Sequence, residues 1–504
     1  MSRLCWLVFI PVCLVEGGFF WFVSQHHYID GDEGFYLLAS QLVQQHKKPY
    51  VDFFYTQAPL LPYAYAMWFK IAGISWFAAR KFAAIQTAIL AGLVYEQVCH
   101  DTRKCLAGLS AVLLFASSTL IFAWFPIVKT FALATLFLFI AYVILVRVTP
   151  SSAGRWYATA GFFWGLSVTT RAYFLMTGPL LLYWIFSQPN GRRFSRILRF
   201  VGGLIVGVTP SLVLFLAAPD AYWFDNLGYH AIRSNYGLVG AWPYKVKIVL
   251  SLFGGHVTGL QVSLLTLICV ILILVRRAKR DAALLAILTA FFLGFASILP
   301  TPPYIQYFSV MVPFLITAAV CLACDYFAAL RNRLAIIAAT VLSVVLLSSF
   351  VAVGVQNFRP SLFTPQSSWT LKEVTAVSRA VDEMTTPGEE VASFWPGYIF
   401  SSTASPYPGM ENNFGVWVGY KLSARKRQKY HILAETELVA AFARRGPPFV
   451  VVGNQESWSG GPDYSACVRM LDANGYFPAR AVGNTWIFEC CTRPQAPDLL
   501  RAAH

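Results

Sequence analysis

The chain has 504 residues, of which 57% are hydrophobic and only 12% charged, roughly half the charged share of an ordinary soluble domain. Its 39 Lys and Arg outnumber its 24 Asp and Glu, but many of these cations stand in short clusters between apolar runs, the marking of cytoplasmic loops. A soluble enzyme is excluded, nucleic acid is not needed to account for the charge, and a polytopic α-helical membrane protein is expected.

Apolar runs of about 20 residues predict membrane helices near 4–23, 80–98, 105–124, 128–147, 156–170, 172–187, 198–217, 257–275, 282–299, 304–324 and 335–355, about eleven spans. The first run starts basic but ends Phe22-Val23-Ser24-Gln25-His26-His27, without a small-x-small cleavage site, so an uncleaved first helix is expected. With Ser2-Arg3 inside, the later inside loops are His100 to Lys104, Arg147 to Arg155, Gly191 to Arg199, Arg276 to Asp281 and Asp325 to Arg333, and all five are basic. The stretch Trp156 to Phe186 is long for one span. Reading it as a hairpin keeps the basic loops on one side and puts a buried tip near Thr170-Arg171.

Long outside segments are expected at about 24–79, at about 218–256, and over the tail. Within the first, Ala58-Pro59-Leu60-Leu61-Pro62-Tyr63-Ala64-Tyr65-Ala66-Met67-Trp68-Phe69 is suited to lie in the interface rather than to cross it. The expected division is a transmembrane domain over 1–355 and an extracytoplasmic α/β domain over 356–504. The tail reads as helices near 366–385, 424–445 and 464–474, with strands at 390–395, 448–452, 477–482 and 485–490. An odd number of spans puts it outside, where Cys467 could pair with Cys490 or Cys491.

Chemistry-bearing residues concentrate after the first helix, in Tyr28-Ile29-Asp30-Gly31-Asp32-Glu33-Gly34-Phe35-Tyr36. Three carboxylates in four positions repel and require a cation, hydrogen bonds or a proton. Asp30 or Asp32 could simply cap the helix that follows. A set of cations lies where few are expected: Lys70, Arg80, Lys81, Lys129, Arg171, Arg233, Lys245 and Lys247 map to the outside or to outer helix ends. Singly they read as snorkelling side chains. Together they form a rim suited to a phosphate whose hydrocarbon stays in lipid. Tyr304 and Tyr307 open the tenth helix with Gln306, where they could bind phosphate or anchor in the headgroup belt. His230 and His256 read as surface or packing histidines. No P-loop, H-E-x-x-H, G-x-S-x-G or dinucleotide fingerprint occurs, so no cofactor is signalled, and a divalent metal is left open.

Asp32-Glu33-Gly34-Phe35-Tyr36-Leu37-Leu38-Ala39, then Lys48-Pro49-Tyr50-Val51-Asp52-Phe53-Phe54-Tyr55-Thr56-Gln57-Ala58-Pro59, then Ala79-Arg80-Lys81-Phe82 opening a helix, resembles bacterial membrane glycosyltransferases of the GT-C fold. The likeness is to relatives of protein O-mannosyltransferases (glycosyltransferase family 39) and of the aminoarabinose transferase of lipid A. It is strongest over about 25–190, and Tyr304 to Pro313 is similar to the family's Tyr-Phe-x-x-x-x-Pro helix start. The resemblance implies a polyprenyl-phosphate sugar donor, an extracytoplasmic acceptor hydroxyl, a plasma (inner) membrane location, and a loop Asp as general base. That Asp falls on Asp32, with Glu33 beside it. By their position on the outer side, Arg80, Arg171, Lys129, Tyr304 and Tyr307 are the candidate donor-phosphate ligands. The tail modules of protein mannosyltransferases are missing, which leaves the acceptor a lipid, glycan or protein. A transporter or lipid flippase is the competing class, with Glu16 and Glu96 as its intramembrane acids; against it stand the lack of an internal repeat and the gathering of charge at one edge.

Overall fold

The computed structural model describes residues 3–148, 154–188, 193–234, 240–252, 257–275, 281–362, 370–453 and 464–490. Helix α1 (Arg3–His26) packs along α4 (Trp76–Thr102), and the chain between them folds into α2 (Gly31–Gln44) and α3 (Leu60–Ala72). On α3, Leu61, Tyr65, Ala66 and Phe69 are buried while Met67 and Ile71 are bare, the one-sided pattern of a helix lying along an interface.

The stretch expected as one span at 105–124 is two helices, α5 (Cys105–Ser117) and α6 (Thr119–Trp124). A break inside an apolar bundle strands backbone groups that lipid cannot satisfy. Gln261 takes up these groups: its Oε1 accepts from the Thr119 N–H at 2.7 Å, and its Nε2 donates to the Ser117 and Phe350 carbonyls, both at 2.9 Å. Next come α7 (Thr130–Arg147) and α8 (Arg155–Thr170), a 3-10 turn at Ala172–Thr177, then α9 (Gly178–Ser187) and α10 (Arg193–Ala217). Trp156 to Phe186 is therefore a hairpin, and Arg171 at its turn is buried in protein. Helices α8 and α10 meet backbone to backbone: a Cβ on Gly161 would stand 1.9 Å from the Phe200 carbonyl oxygen, and one on Gly203 would stand 1.8 Å from that of Ala158. Small residues allow this approach where the hydrophobic effect offers little drive between helices.

Further helices run Val257–Val275, Asp281–Ile298, Val312–Ala329 and Arg333–Leu362. All eleven expected stretches are largely helical. Among the described residues six helices are long and apolar enough to cross a membrane: Leu4–His26, Trp76–Thr102, Thr130–Arg147, Arg193–Ala217, Ile305–Ala329 and Arg333–Leu362. The others are shorter or broken. The chain is a multi-pass membrane protein. Of the two intramembrane acids, Glu96 is paired with Arg147 and Glu16 is buried on α1.

The expected domain boundary at 355 falls inside the last long helix, which continues to Leu362. Beyond it a helix at Leu371–Met384 precedes a five-stranded sheet of β1 (Glu390–Ser393), β2 (Ser405–Pro406), β3 (Phe449–Gly453), β4 (Tyr476–Val482) and β5 (Thr485–Cys490), in the order β2-β1-β3-β5-β4. Strand β1 is parallel to both β2 and β3, whereas β5 is antiparallel to β3 and β4. The helix expected over 424–445 is two, Ala424–Lys429 and Glu435–Ala443, broken where His431 takes a φ of 54° and Tyr430 stacks on Phe224 at 4.2 Å. Strand β2 and the helix Asn413–Gly419 had no sequence signal strong enough to be expected. Cys467 is buried in the sheet's core; of its two expected partners, Cys490 ends β5 and Cys491 lies outside the described residues, as do His256 and the cluster Arg276 to Arg280.

The sheet region seats on α2. The Trp395 indole N–H donates to the Gly31 carbonyl at 2.8 Å and its ring stacks on Trp76 at 5.8 Å, while Gln41 exchanges hydrogen bonds with Ser401 and Ser402. A reporter fused after Ala503 is expected to register as extracytoplasmic and one at Arg193 as cytoplasmic. Cytoplasmic activity of the first fusion would overturn the odd span count.

Candidate active site at the bundle edge

The acidic loop divides its three carboxylates among three tasks. Asp30 caps α2: its Oδ1 accepts from the Asp32 N–H at 2.9 Å, and the Glu33 carboxylate accepts from the Asp30 N–H at 2.9 Å, a reciprocal capping box. The cap thus belongs to Asp30, and Asp32 is released from it. Asp32 keeps 37% of its side chain exposed.

Glu33 and Arg80 are 0% exposed and paired at 2.6 Å. The Arg80 guanidinium also donates to the carbonyls of Ser24 at 2.9 Å and Tyr28 at 3.0 Å, and Glu33 Oε2 accepts from the Val128 N–H at 2.9 Å. Burial pushes the Glu33 carboxyl above its usual range, and Arg80 with the two backbone donors pulls it back. The guanidinium is enclosed, with both terminal nitrogens engaged and Nε without a partner among the described residues, so the expectation that Arg80 meets a lipid phosphate does not fit this geometry. Glu33 is enclosed with it.

Because Glu33 fixes Val128, the next residue, Lys129, is delivered to the loop. Its Nζ lies 2.7 Å from Asp30 Oδ1 and 2.9 Å from Asp32 Oδ2. Burial opposes its charge, but Asp30 and Asp32 outweigh burial and hold the ammonium above the ordinary lysine value. Among the described residues no three His, Cys, Asp or Glu side chains converge on a common point.

Thr130 and Phe131, just after Lys129, hold Arg171. The guanidinium donates to Thr130 Oγ1 and lies over the rings of Phe131 at 4.4 Å, Tyr173 at 4.5 Å and Tyr307 at 5.0 Å. Tyr304 stands edge-on to Tyr307 at 5.6 Å. Arg233 donates to the carbonyls of Thr301 at 2.7 Å and Pro302 at 3.2 Å, just before Tyr304. Burial raises the phenols of Tyr36, Tyr229 and Tyr304, and the charge of Asp32 adds to the rise in all three. Asp32 therefore lies within electrostatic reach of a cluster of cations and phenols.

Of the expected site residues, Asp32, Lys129, Arg171, Tyr304 and Tyr307 come together, and Glu33 and Arg80 form a closed pair beneath. Of the wider cationic rim, Arg233 joins the cluster, whereas Lys81 lies against Trp21 and Lys70 is exposed. Tyr36, Thr130 and Tyr229 were not expected; Tyr36 carried the best signal, one helical turn after Asp32.

Residues 56–223 match the family model described as dolichyl-phosphate-mannose-protein mannosyltransferase. The match spans Arg80, Lys129 and Arg171 and begins after the acidic loop. No curated protein matches the chain by sequence. Among solved structures it is similar to ArnT from Cupriavidus metallidurans in the apo state, with a TM-score of 0.64 at 13% identity, covering 96% of this chain and 97% of that one. ArnT bound to undecaprenyl phosphate gives 0.61 at 12% identity, over 97% and 98% of the two chains. The chain has the GT-C fold of membrane glycosyltransferases. The Archaeoglobus fulgidus oligosaccharyltransferase, in complex with zinc and sulfate, is a more distant likeness, with a TM-score of 0.50 at 12% identity over 95% of this chain and 73% of that one.

Arg80→Ala in this GT-C-fold protein leaves Glu33 buried without its cation, and breaking a buried pair in this way costs about 3–5 kcal/mol. Thermal unfolding in detergent is expected to drop sharply for Arg80→Ala and far less for Lys70→Ala. Equal melting of the two variants would contradict the enclosed geometry.

Proposed function

We propose that the protein is an integral-membrane glycosyltransferase that moves a sugar, a hexose or pentose, from a polyprenyl-phosphate donor to an acceptor hydroxyl on the extracytoplasmic side of the plasma (inner) membrane. The observation that carries the reading is Asp32, uncapped and part-exposed, held by Lys129 at the edge of a cation and phenol cluster. Its support from relatives is that ArnT, of the same fold, binds undecaprenyl phosphate.

In this reading Asp32 takes the proton of the acceptor hydroxyl as that oxygen attacks the anomeric carbon. The bond from anomeric carbon to phosphate oxygen breaks, and its electron pair leaves with the lipid phosphate. Arg171 and Arg233, aided by Tyr304 and Tyr307, stabilise the charge that develops there. Lys129 orients Asp32 and adds positive potential at the same edge. Glu33 and Arg80 position the loop and touch no substrate. The sheet region faces the same compartment and buttresses α2 from behind.

Two substitutions test the assignment. Asp32→Asn preserves shape and leaves the Asp30 cap intact, so folding is expected to be normal while transfer falls about 100-fold or more, the usual cost of losing a general base. Asp30→Asn, which retains capping, is expected to cost much less; a well-folded Asp32→Asn protein with near-normal rate would move the role elsewhere. Arg171→Ala is expected to weaken donor use by about 1.5–3 kcal/mol, the worth of a charge-assisted hydrogen bond. Unchanged donor dependence would remove Arg171 from the site.

A further inference from the structure

The segment after α10 ties two parts of the site together. Asp225 Oδ2 accepts from the Tyr55 N–H at 3.0 Å, His230 Nε2 lies 3.0 Å from the Thr56 carbonyl oxygen, and Arg233 donates to Thr301 and Pro302. A carbonyl oxygen can only accept, so Nε2 carries the hydrogen and Nδ1 of the neutral ring is left as a lone-pair acceptor. Burial first, and then the charge of Arg233, lower the His230 pKa to about 3, with Arg171 acting in the same direction. The ring is therefore neutral at physiological pH. Its Nδ1 is buried and has no hydrogen-bond partner among the described residues.

That atom differs in kind from its surroundings. Lys129, Arg171 and Arg233 are hydrogen-bond donors, suited to the oxygens of a phosphate. An imidazole lone pair repels those oxygens and instead matches an O–H group. An ammonium group could also donate to it, but Arg171 and Arg233, whose charges both act on His230, repel a cation there. Tyr229, in ring contact with His230 at 5.1 Å, feels the charge of Asp32, so His230 belongs to the same electrostatic neighbourhood as the base.

We propose that His230 is a specificity residue whose Nδ1 accepts a hydrogen bond from a hydroxyl of the donor sugar, which favours neutral sugars over amino sugars; this rests on the glycosyltransferase reading above. The imidazole touches no bond that breaks. Its contribution is to recognise the sugar, while the cations recognise the phosphate.

The test measures binding to the purified full chain in nanodiscs of undecaprenyl phosphate, of its glucose and mannose conjugates, and of an amino-pentose conjugate. His230→Gln preserves an N–H for Thr56 but removes the Nδ1 acceptor, and a matched melting curve reports that it folds. Wild type is expected to bind at least one hexose conjugate roughly fivefold to tenfold tighter than the bare lipid phosphate, the worth of about one hydrogen bond. His230→Gln is expected to lose that gain while its affinity for the bare lipid stays unchanged. A gain retained in His230→Gln, equal wild-type affinity for bare and hexose-bearing lipids, or preference for the amino-pentose conjugate would overturn the proposal. Should wild type bind none of the lipids, the polyprenyl-phosphate reading itself falls, a result distinct from insensitivity to the sugar.

Discussion

The enclosed pair of Glu33 and Arg80 is the constraint on which the site's geometry depends. Two charges without solvent are costly to bury, and the cost is offset by close pairing and by the hydrogen bonds that surround the pair. Here Arg80 reaches carbonyls at the end of α1, and Glu33 reaches backbone N–H groups of its own loop and of the turn before α7. One ion pair thus fixes three segments distant in sequence. Asp32 precedes Glu33 and Lys129 follows Val128, so the candidate site inherits its register from the buried pair.

Stacking charge in two layers also resolves the repulsion built into the acidic loop. The lower carboxylate is neutralised by a guanidinium that solvent cannot reach, and the upper two share a single ammonium. The upper layer keeps a net carboxylate partly open toward Arg171 and the phenols. The sheet region reinforces this from the other side of α2, where Trp395 and Gly397 press on Gly34 so closely that a Cβ there would stand 2.6 Å from either. A tail distant from the acidic loop in sequence therefore helps to hold the first turn of the helix that bears Asp32 and Glu33.

The apolar runs were legible because about 20 uncharged residues admit few readings, and the acidic loop was legible because three adjacent carboxylates demand compensation. Which cation compensates which acid was not. Arg80 and Lys129 look alike in sequence as residues near helix starts, and only the fold shows that one is sealed and the other reaches the loop's upper carboxylates. The break at Ser118 was hidden for a similar reason: Gln261, which satisfies it, is 142 residues from Thr119. Division of 424–445 into two helices turns on Tyr430 stacking against Phe224, another contact that no local pattern signals. His230 reads from sequence as a surface or packing histidine, and Nε2 does bond the Thr56 carbonyl; only the fold shows that Nδ1 has no partner among the described residues and stands near Arg171 and Arg233.

Sugar transfer at this edge and movement of lipid or solute across the membrane leave different products. Purified protein in proteoliposomes, supplied with polyprenyl-phosphate donors carrying a labelled sugar and with candidate acceptors, separates the possibilities by following the label and the lipid phosphate together. For a transferase, label is expected to leave the lipid and appear on an acceptor, with bare polyprenyl phosphate released in equal amount. Label that changes leaflet or crosses the vesicle while still attached to its lipid, with no bare phosphate formed, would contradict the proposed transfer.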